Sequence, residues 1–201
     1  MALRDTMFYL DILRMLYYHN SSCIIIIQKR ILTCIPYSAI APWSLEARVQ
    51  TDLQPLRIYL DTCCLSRSFD DQTQTRILWE TQAIRRILAQ VRIGHWHWIS
   101  SDVLVREVAQ IPNLEQRFEV NRLLTYTHQT VTTETDEISR AKQLETLGFK
   151  VFDALHLACA ESAAVDIFLT TDDGILRIAK RENAELRLQI ENPDRWLHKE
   201  L

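Results

Sequence analysis

Ile58-Tyr59-Leu60-Asp61-Thr62-Cys63-Cys64-Leu65 opens as a short apolar β run and closes on an acid. Three more acids interrupt or end apolar runs in the same way. Glu107 lies within Val103-Leu104-Val105-Arg106-Glu107-Val108-Ala109, Asp153 follows Phe152 at the head of Ala154-Leu155-His156-Leu157-Ala158-Cys159-Ala160, and Asp172 follows Ile167-Phe168-Leu169-Thr170-Thr171. An ionised carboxylate in apolar surroundings costs several kcal/mol unless a cation or hydrogen-bond donors compensate it. No matching run of buried-looking Lys or Arg accompanies these four. A shared divalent metal is the economical reading, since hard cations take oxygen ligands.

Outward from these runs, strand and helix patterns alternate. Residues 56–61 read as a strand and 72–93 as a long amphipathic helix that Gly94 ends. Residues 95–99 read as a strand, and Ser100, Ser101 or Asp102 caps a helix that stops before Pro112. Helices follow over 113–126 and 136–147. The next, over 152–164, is apolar on nearly every face and is expected to be buried. A strand over 166–171, a helix over 174–181 and a last strand over 186–190 complete the pattern. Such alternation indicates an α/β sandwich around a mostly parallel sheet. In these sheets ligands sit at the carboxyl ends of the strands, where Asp61 and Asp172 fall; Glu107 and Asp153 fall on helices. A metal there lowers the pKa of a bound water and polarises a phosphoryl oxygen. Hydrolysis of a phosphodiester fits this, and no Gly-rich phosphate loop, Ser-His-Asp set or His pair at metal spacing competes. A dehalogenase-type phosphatase would need an acid two residues after Asp61, where Cys63 stands.

The whole chain sets broad bounds. Its 201 residues suit one domain of ordinary size with some excess, and 47% hydrophobic with 24% charged residues is the balance of a soluble globular protein. Three Gly and five Pro favour long regular elements. With a net charge of −3, affinity for a nucleic acid must come from metal and local basic clusters. Arg85-Arg86-Arg92 and Arg177-Lys180-Arg181 are candidates, although a solvated helix face is the ordinary use of such residues. His95-Trp96-His97-Trp98 could stack bases, but in a strand both Trp are expected to pack inward. Five Cys, an odd number without a C-x-x-C pair, argue against zinc or a disulfide framework and for a reducing cytoplasm. No membrane association is expected, because the apolar run at 23–27 is cut short by Gln28-Lys29-Arg30. Residues 1–55 hold all three Met and show no sustained period, apart from a weak amphipathic stretch at 7–18. They read as a poorly ordered or atypical extension, or as upstream sequence taken in by a start-site artefact. Residues 56–201 carry the domain.

Three of the stretches quoted above, those around Asp61, Asp153 and Asp172, together with Glu107 in the same order, resemble the PIN-domain nucleases, in particular the VapC-type toxins of toxin–antitoxin pairs. The resemblance spans roughly residues 56–192. It implies a three-layer α/β/α sandwich and cleavage of single-stranded or structured RNA by a Mg²⁺- or Mn²⁺-dependent endoribonuclease, with Asp61, Glu107, Asp153 and Asp172 as metal ligands. Thr62, Thr171 (or Thr170) and Asp173 are the implied accessory residues, and Asp172 is preferred over Asp173 because it directly follows the strand. His156, one helical turn from Asp153, is expected to pack or to support a ligand. The resemblance also implies an antitoxin partner and a possible homodimer through the helix pair at 113–147. A non-catalytic PIN-like module binding RNA or protein is the alternative.

Overall fold

The structure, a computed structural model, describes residues 23–28, 31–36 and 55–200. The chain divides into two units, residues 1–53 and 54–201. In the first, Cys23–Gln28 (β1) pairs antiparallel with Ile31–Pro36 (β2), Ile25 facing Cys34 in register. The sequence reading gave this stretch no strand period; its run of isoleucines suits a strand by β-branching instead. The amphipathic stretch at 7–18 lies outside the described residues.

In the second unit five parallel strands form one sheet in the order β5-β4-β3-β6-β7. They are Leu56–Leu60 (β3), Trp96–Ser101 (β4), Gln129–Val131 (β5), Ile167–Leu169 (β6) and Gln189–Glu191 (β7). The helices between and after them are Thr62–Ser66 (α1), Thr75–Arg92 (α2), Asp102–Ala109 (α3), Leu114–Leu124 (α4), Thr135–Thr146 (α5), Val151–Ser162 (α6), Asp173–Arg181 (α7) and Pro193–Glu200 (α8).

The strand period of two builds the three layers. Ile58, Leu60, Trp98, Ile167 and Leu169 point to one side, where they meet α1 to α4 and α8 through Leu65, Ile84, Ile87, Leu104, Val120 and Trp196. Tyr59, Ile99 and Phe168 point to the other, against Leu144, Leu157 and Ile175 of α5, α6 and α7. Trp96 and Trp98 both pack on the first side, Trp96 with its ring centroid 5.0 Å from that of Trp196. The buried helix expected over 152–164 is α6. Gly94 follows α2 at φ +79°, the left-handed conformation in which glycine ends a helix without strain.

Three elements differ from the sequence reading, each for a physical reason. Helix α1 has five residues, too few to show a period. Strand β5 has three residues, of which only Val131 is buried, so no alternation is visible. Pro193 begins a helix, α8, beyond the last strand of the sequence reading: proline has its preferred helical place in the first turn. Asn192 caps that turn by accepting the Asp194 N–H at 3.0 Å, while Trp196 and Leu197 are buried.

Helices α5 and α6 are tied by a buried charge pair. Arg140 Nε and Nη2 reach Glu161 Oε2 and Oε1 at 2.6 and 3.1 Å, and the Glu161 side chain is 2% exposed. Breaking one side of a buried pair leaves the other charge desolvated. Arg140→Ala is therefore expected to lower stability by about 3 kcal/mol, read as a shift of the urea midpoint with an unchanged slope.

Candidate active site

Strand β3 is central. The chain leaves it outward through β4 and β5, then crosses back to place β6 on its other flank. A crevice opens at the carboxyl ends of two adjacent strands where the order reverses in this way. The Asp61 N–H donates to Leu169 O at 3.0 Å, so the ladder between β3 and β6 persists to the rim of that crevice.

Asp61 caps α1, accepting the Thr62 N–H on Oδ1 at 2.7 Å. Its Oδ2 accepts the Thr170 hydroxyl at 2.7 Å and the Cys63 thiol at 3.0 Å. Glu107 arrives on α3, whose start is fixed by Ser101 Oγ accepting the Leu104 N–H at 3.1 Å. Its Oε2 accepts the Thr62 hydroxyl at 2.5 Å and His156 Nε2 at 2.9 Å. Burial raises the pKa of Glu107, but the hydrogen bonds from His156 and Thr62 outweigh it and hold the group below its ordinary value. Donor atoms of Asp61, Glu107 and His156 lie within 4.8 Å of one another.

Asp153 sits in the first turn of α6, partly buried, with no hydrogen-bond or ion-pair partner among the described residues. Burial raises its pKa, and the charges of Asp61 and Asp172 push the same way against the weaker pull of Lys150 and His156. Asp172 caps α7, its Oδ1 accepting the N–H groups of Gly174 at 2.6 Å and Ile175 at 3.2 Å. A Cβ on residue 174 would stand 2.8 Å from that oxygen, so glycine lets the carboxylate lie flat on the turn. Asp173 turns away and takes a two-pronged pair from Arg76 at 2.7 and 2.8 Å, which lowers its pKa. Of the accessory residues, Thr62 holds Glu107. Thr171 contributes backbone only, its N–H to Cys63 Sγ at 3.3 Å and its carbonyl to Arg76 at 3.3 Å; the hydroxyl at Asp61 is that of Thr170.

Behind Glu107 runs a buried chain that the sequence did not reveal. Tyr59 Oη lies 2.6 Å from Ser101 Oγ and 2.7 Å from His156 Nδ1. When the imidazole is neutral and donates from Nε2 to the Glu107 carboxylate, Nδ1 accepts from Tyr59 and Tyr59 accepts from Ser101. One proton order thus runs from Ser101 through Tyr59 and His156 to Glu107. Both imidazole nitrogens are spent in it, while Glu107 Oε1 has no protein donor among the described residues. Three acids held by short hydrogen bonds, Asp61, Glu107 and Asp172, and a fourth, Asp153, without a partner among the described residues make a donor set that fits a hard divalent cation.

The PIN domain family model matches residues 58–181. The chain belongs to the PIN domain family. Two solved structures are similar to this chain at low identity. FitAcB from Neisseria gonorrhoeae is 17% identical with TM-score 0.45, covering 68% of this chain and 97% of that one. VapBC2 from Rickettsia felis, bound to a DNA fragment from their promoter, is 14% identical with TM-score 0.47, covering 68% and 98%. No curated protein sequence matches the chain. PIN domains generally use a divalent metal, and the acidic group described above is where this PIN domain could hold one.

The raised pKa of Asp153 has a consequence for stability. Its folded value lies above its unfolded value, so without metal the group penalises the fold fully at pH above the folded value. The penalty fades as pH falls and is gone below the unfolded value. Asp153→Asn is expected to raise the melting temperature in chelator at pH 7 and to leave it unchanged near pH 3, read by calorimetry at both pH values.

Proposed function

We propose that this PIN domain is a divalent-metal-dependent endoribonuclease that hydrolyses phosphodiesters in single-stranded or structured RNA, and that it acts as the toxin of a toxin–antitoxin pair in the cytoplasm. The observation that carries the reading is the gathering of Asp61, Glu107, Asp153 and Asp172 at one end of the sheet, with Asp153 without a protein partner among the described residues. These four are the proposed metal ligands, for Mg²⁺ or Mn²⁺. Bound there, the metal supplies an activated water and a Lewis acid for the phosphoryl oxygen.

The chain's own residues supply position. Thr62 N–H and the Thr170 hydroxyl fix the two oxygens of Asp61, so its carboxylate plane cannot swing. His156 and Thr62 both hold Glu107 Oε2, which leaves Oε1 without a protein donor among the described residues. Asp172 is pinned by its cap and presents its second oxygen. Held donors of this kind cost no reorganisation when the substrate arrives. The toxin role and its partner rest on the resemblance of the motif stretches. A crevice lined by carboxylates invites a basic side chain, so an antitoxin Arg or Lys placed there would block metal and RNA together. The exposed Leu114, Phe118 and Ile138 on α4 and α5 offer an apolar face for a homodimer.

Labelled RNA incubated with the full chain is expected to be cut in Mg²⁺ or Mn²⁺, spared in chelator, and spared by Asp153→Asn. Equal cutting by both proteins would locate the activity elsewhere, and no cutting across a broad set of RNAs would favour a binding module. The positioning role of His156 has its own readout. His156→Ala is expected to weaken Mn²⁺ binding by roughly 10–100-fold in calorimetric titration, and Tyr59→Phe, which removes only the donor behind the imidazole, by less. Unchanged affinity in both would remove the Tyr59–His156 relay from the site.

A further inference from the structure

We infer that the surface formed by α2, α7 and α8 is a binding track for single-stranded RNA leading away from the acidic crevice; its role in delivering substrate rests on the nuclease reading above. The track is centred on Trp79. This side chain is 56% exposed, whereas Trp98 and Trp196 are buried. Trp79 lies on α2 three residues from Arg76 and seven from Arg86, so the three share one face of the helix. It is also the common wall of two clefts. One, of about 340 Å³, is lined by Arg76, Arg177, Lys180 and Arg195. The other, of about 640 Å³, is lined by Arg86 and His198.

The charges in these clefts are unequally engaged. Glu80 is buried; its Oε1 accepts from Arg76 at 2.9 Å and Asn192 at 2.7 Å, and the Arg67 guanidinium lies 2.8 Å from its Oε2. Asp173 is taken by Arg76, and Asp194 lies 3.4 Å from His198. Arg86, Arg177, Lys180 and Arg195 are exposed and make no ion pair among the described residues. In a chain of net charge −3, a row of unpaired cations beside spent acids is a local attraction for a polyanion. Cations alone would suit an acidic peptide equally well. The exposed indole between them decides for nucleic acid, because a base stacks on it while the flanking cations take phosphates.

The track is also continuous with the candidate active site. Arg76 binds Asp173 with two nitrogens and the Thr171 carbonyl with one of them, so it stands against the segment that carries Asp172. From Arg76 to Arg86 the helix rises about 15 Å, an extended path rather than a pocket for a small anion.

The test is fluorescence anisotropy of a short labelled single-stranded RNA of mixed sequence with the full chain in chelator, so that binding is read without cleavage. A parallel titration uses a labelled poly-glutamate peptide. The combined variant Arg177→Ala, Lys180→Ala, Arg195→Ala is expected to bind RNA at least tenfold more weakly, with a salt-dependence slope smaller by about 2. Trp79→Ala is expected to lose about tenfold with its slope unchanged. All four residues are exposed, and melting temperatures matching the parent would show that the fold is intact. Parent-like RNA binding by both variants, or no RNA binding by the parent, would overturn the track. So would loss of poly-glutamate binding alone, which would make the partner an acidic protein. The two readings separate cleanly. RNA binding lost in the variants of a protein that never cuts RNA keeps the track and removes the nuclease, while cutting and binding unchanged in the variants do the reverse.

Discussion

The parallel pairing of β3 with β6 is the constraint on which the rest depends. Ile58, Tyr59 and Leu60 stand in register with Ile167, Phe168 and Leu169. All six side chains are buried, alternating between the two apolar layers. The two strands therefore end at the same height, with Asp61 and Asp172 just beyond them. A one-residue slip would turn Tyr59 and Phe168, stacked at 5.1 Å, into the wrong layer. Hydrophobic alternation, which carries no chemistry of its own, thus sets the distance between two acids brought from opposite ends of the domain.

The same layer supplies the rigidity behind Glu107. Tyr59 is an apolar residue of the sheet face by its ring and a hydrogen-bonding residue by its hydroxyl, and burial raises its pKa well above the ordinary phenol value. It therefore stays protonated and joins Ser101 and His156 in one buried network. A buried network satisfied at every member adds order, whereas a half-satisfied one would cost more than an apolar core. Asp153 shows the opposite economy. It has no partner among the described residues, and burial together with the charges of Asp61 and Asp172 makes its ionised form a local destabilisation.

Much of this was legible in the sequence, and the parts that were not share a cause. The strands around Asp61 and Asp172 and the helices carrying Glu107 and Asp153 announced themselves because each is an apolar run with a single acid set into it. The crossover strand β5 and helix α1 were silent because three and five residues cannot display a period. Tyr59 and Ser101 read as a strand residue and a cap, which they are; their second role appears only when β3, β4 and α6 meet in space. Helix α8 went unread because proline marks both the end of one element and the first turn of another, and only the tertiary burial of Trp196 and Leu197 decides between them. The extension at 1–55 showed no period, yet its isoleucines pair as β1 with β2, since β-branching stabilises a strand without an alternating face.

Asp172 and Asp173 show how far one residue of register separates two uses of the same side chain. Asp172 leaves β6 in extended conformation and folds back onto the first turn of α7, where Gly174 leaves room for its oxygen, and its charge raises the pKa of Asp153. Asp173, one position on, is rotated about 100° around the new helix and faces Arg76 on α2. The Arg76–Asp173 pair is solvent-exposed, so its contribution to stability is small. The orientation of Asp172 comes from its own cap bonds to Gly174 and Ile175, while Ile175 and Ala179 bury the inner face of α7. The Arg76–Asp173 pair also occupies the one cation of the cleft nearest the acids and leaves Arg177, Lys180 and Arg195 unpaired. A substrate drawn along those cations would reach the crevice past an arginine already neutralised, and so would not be held short of the acids by a competing charge.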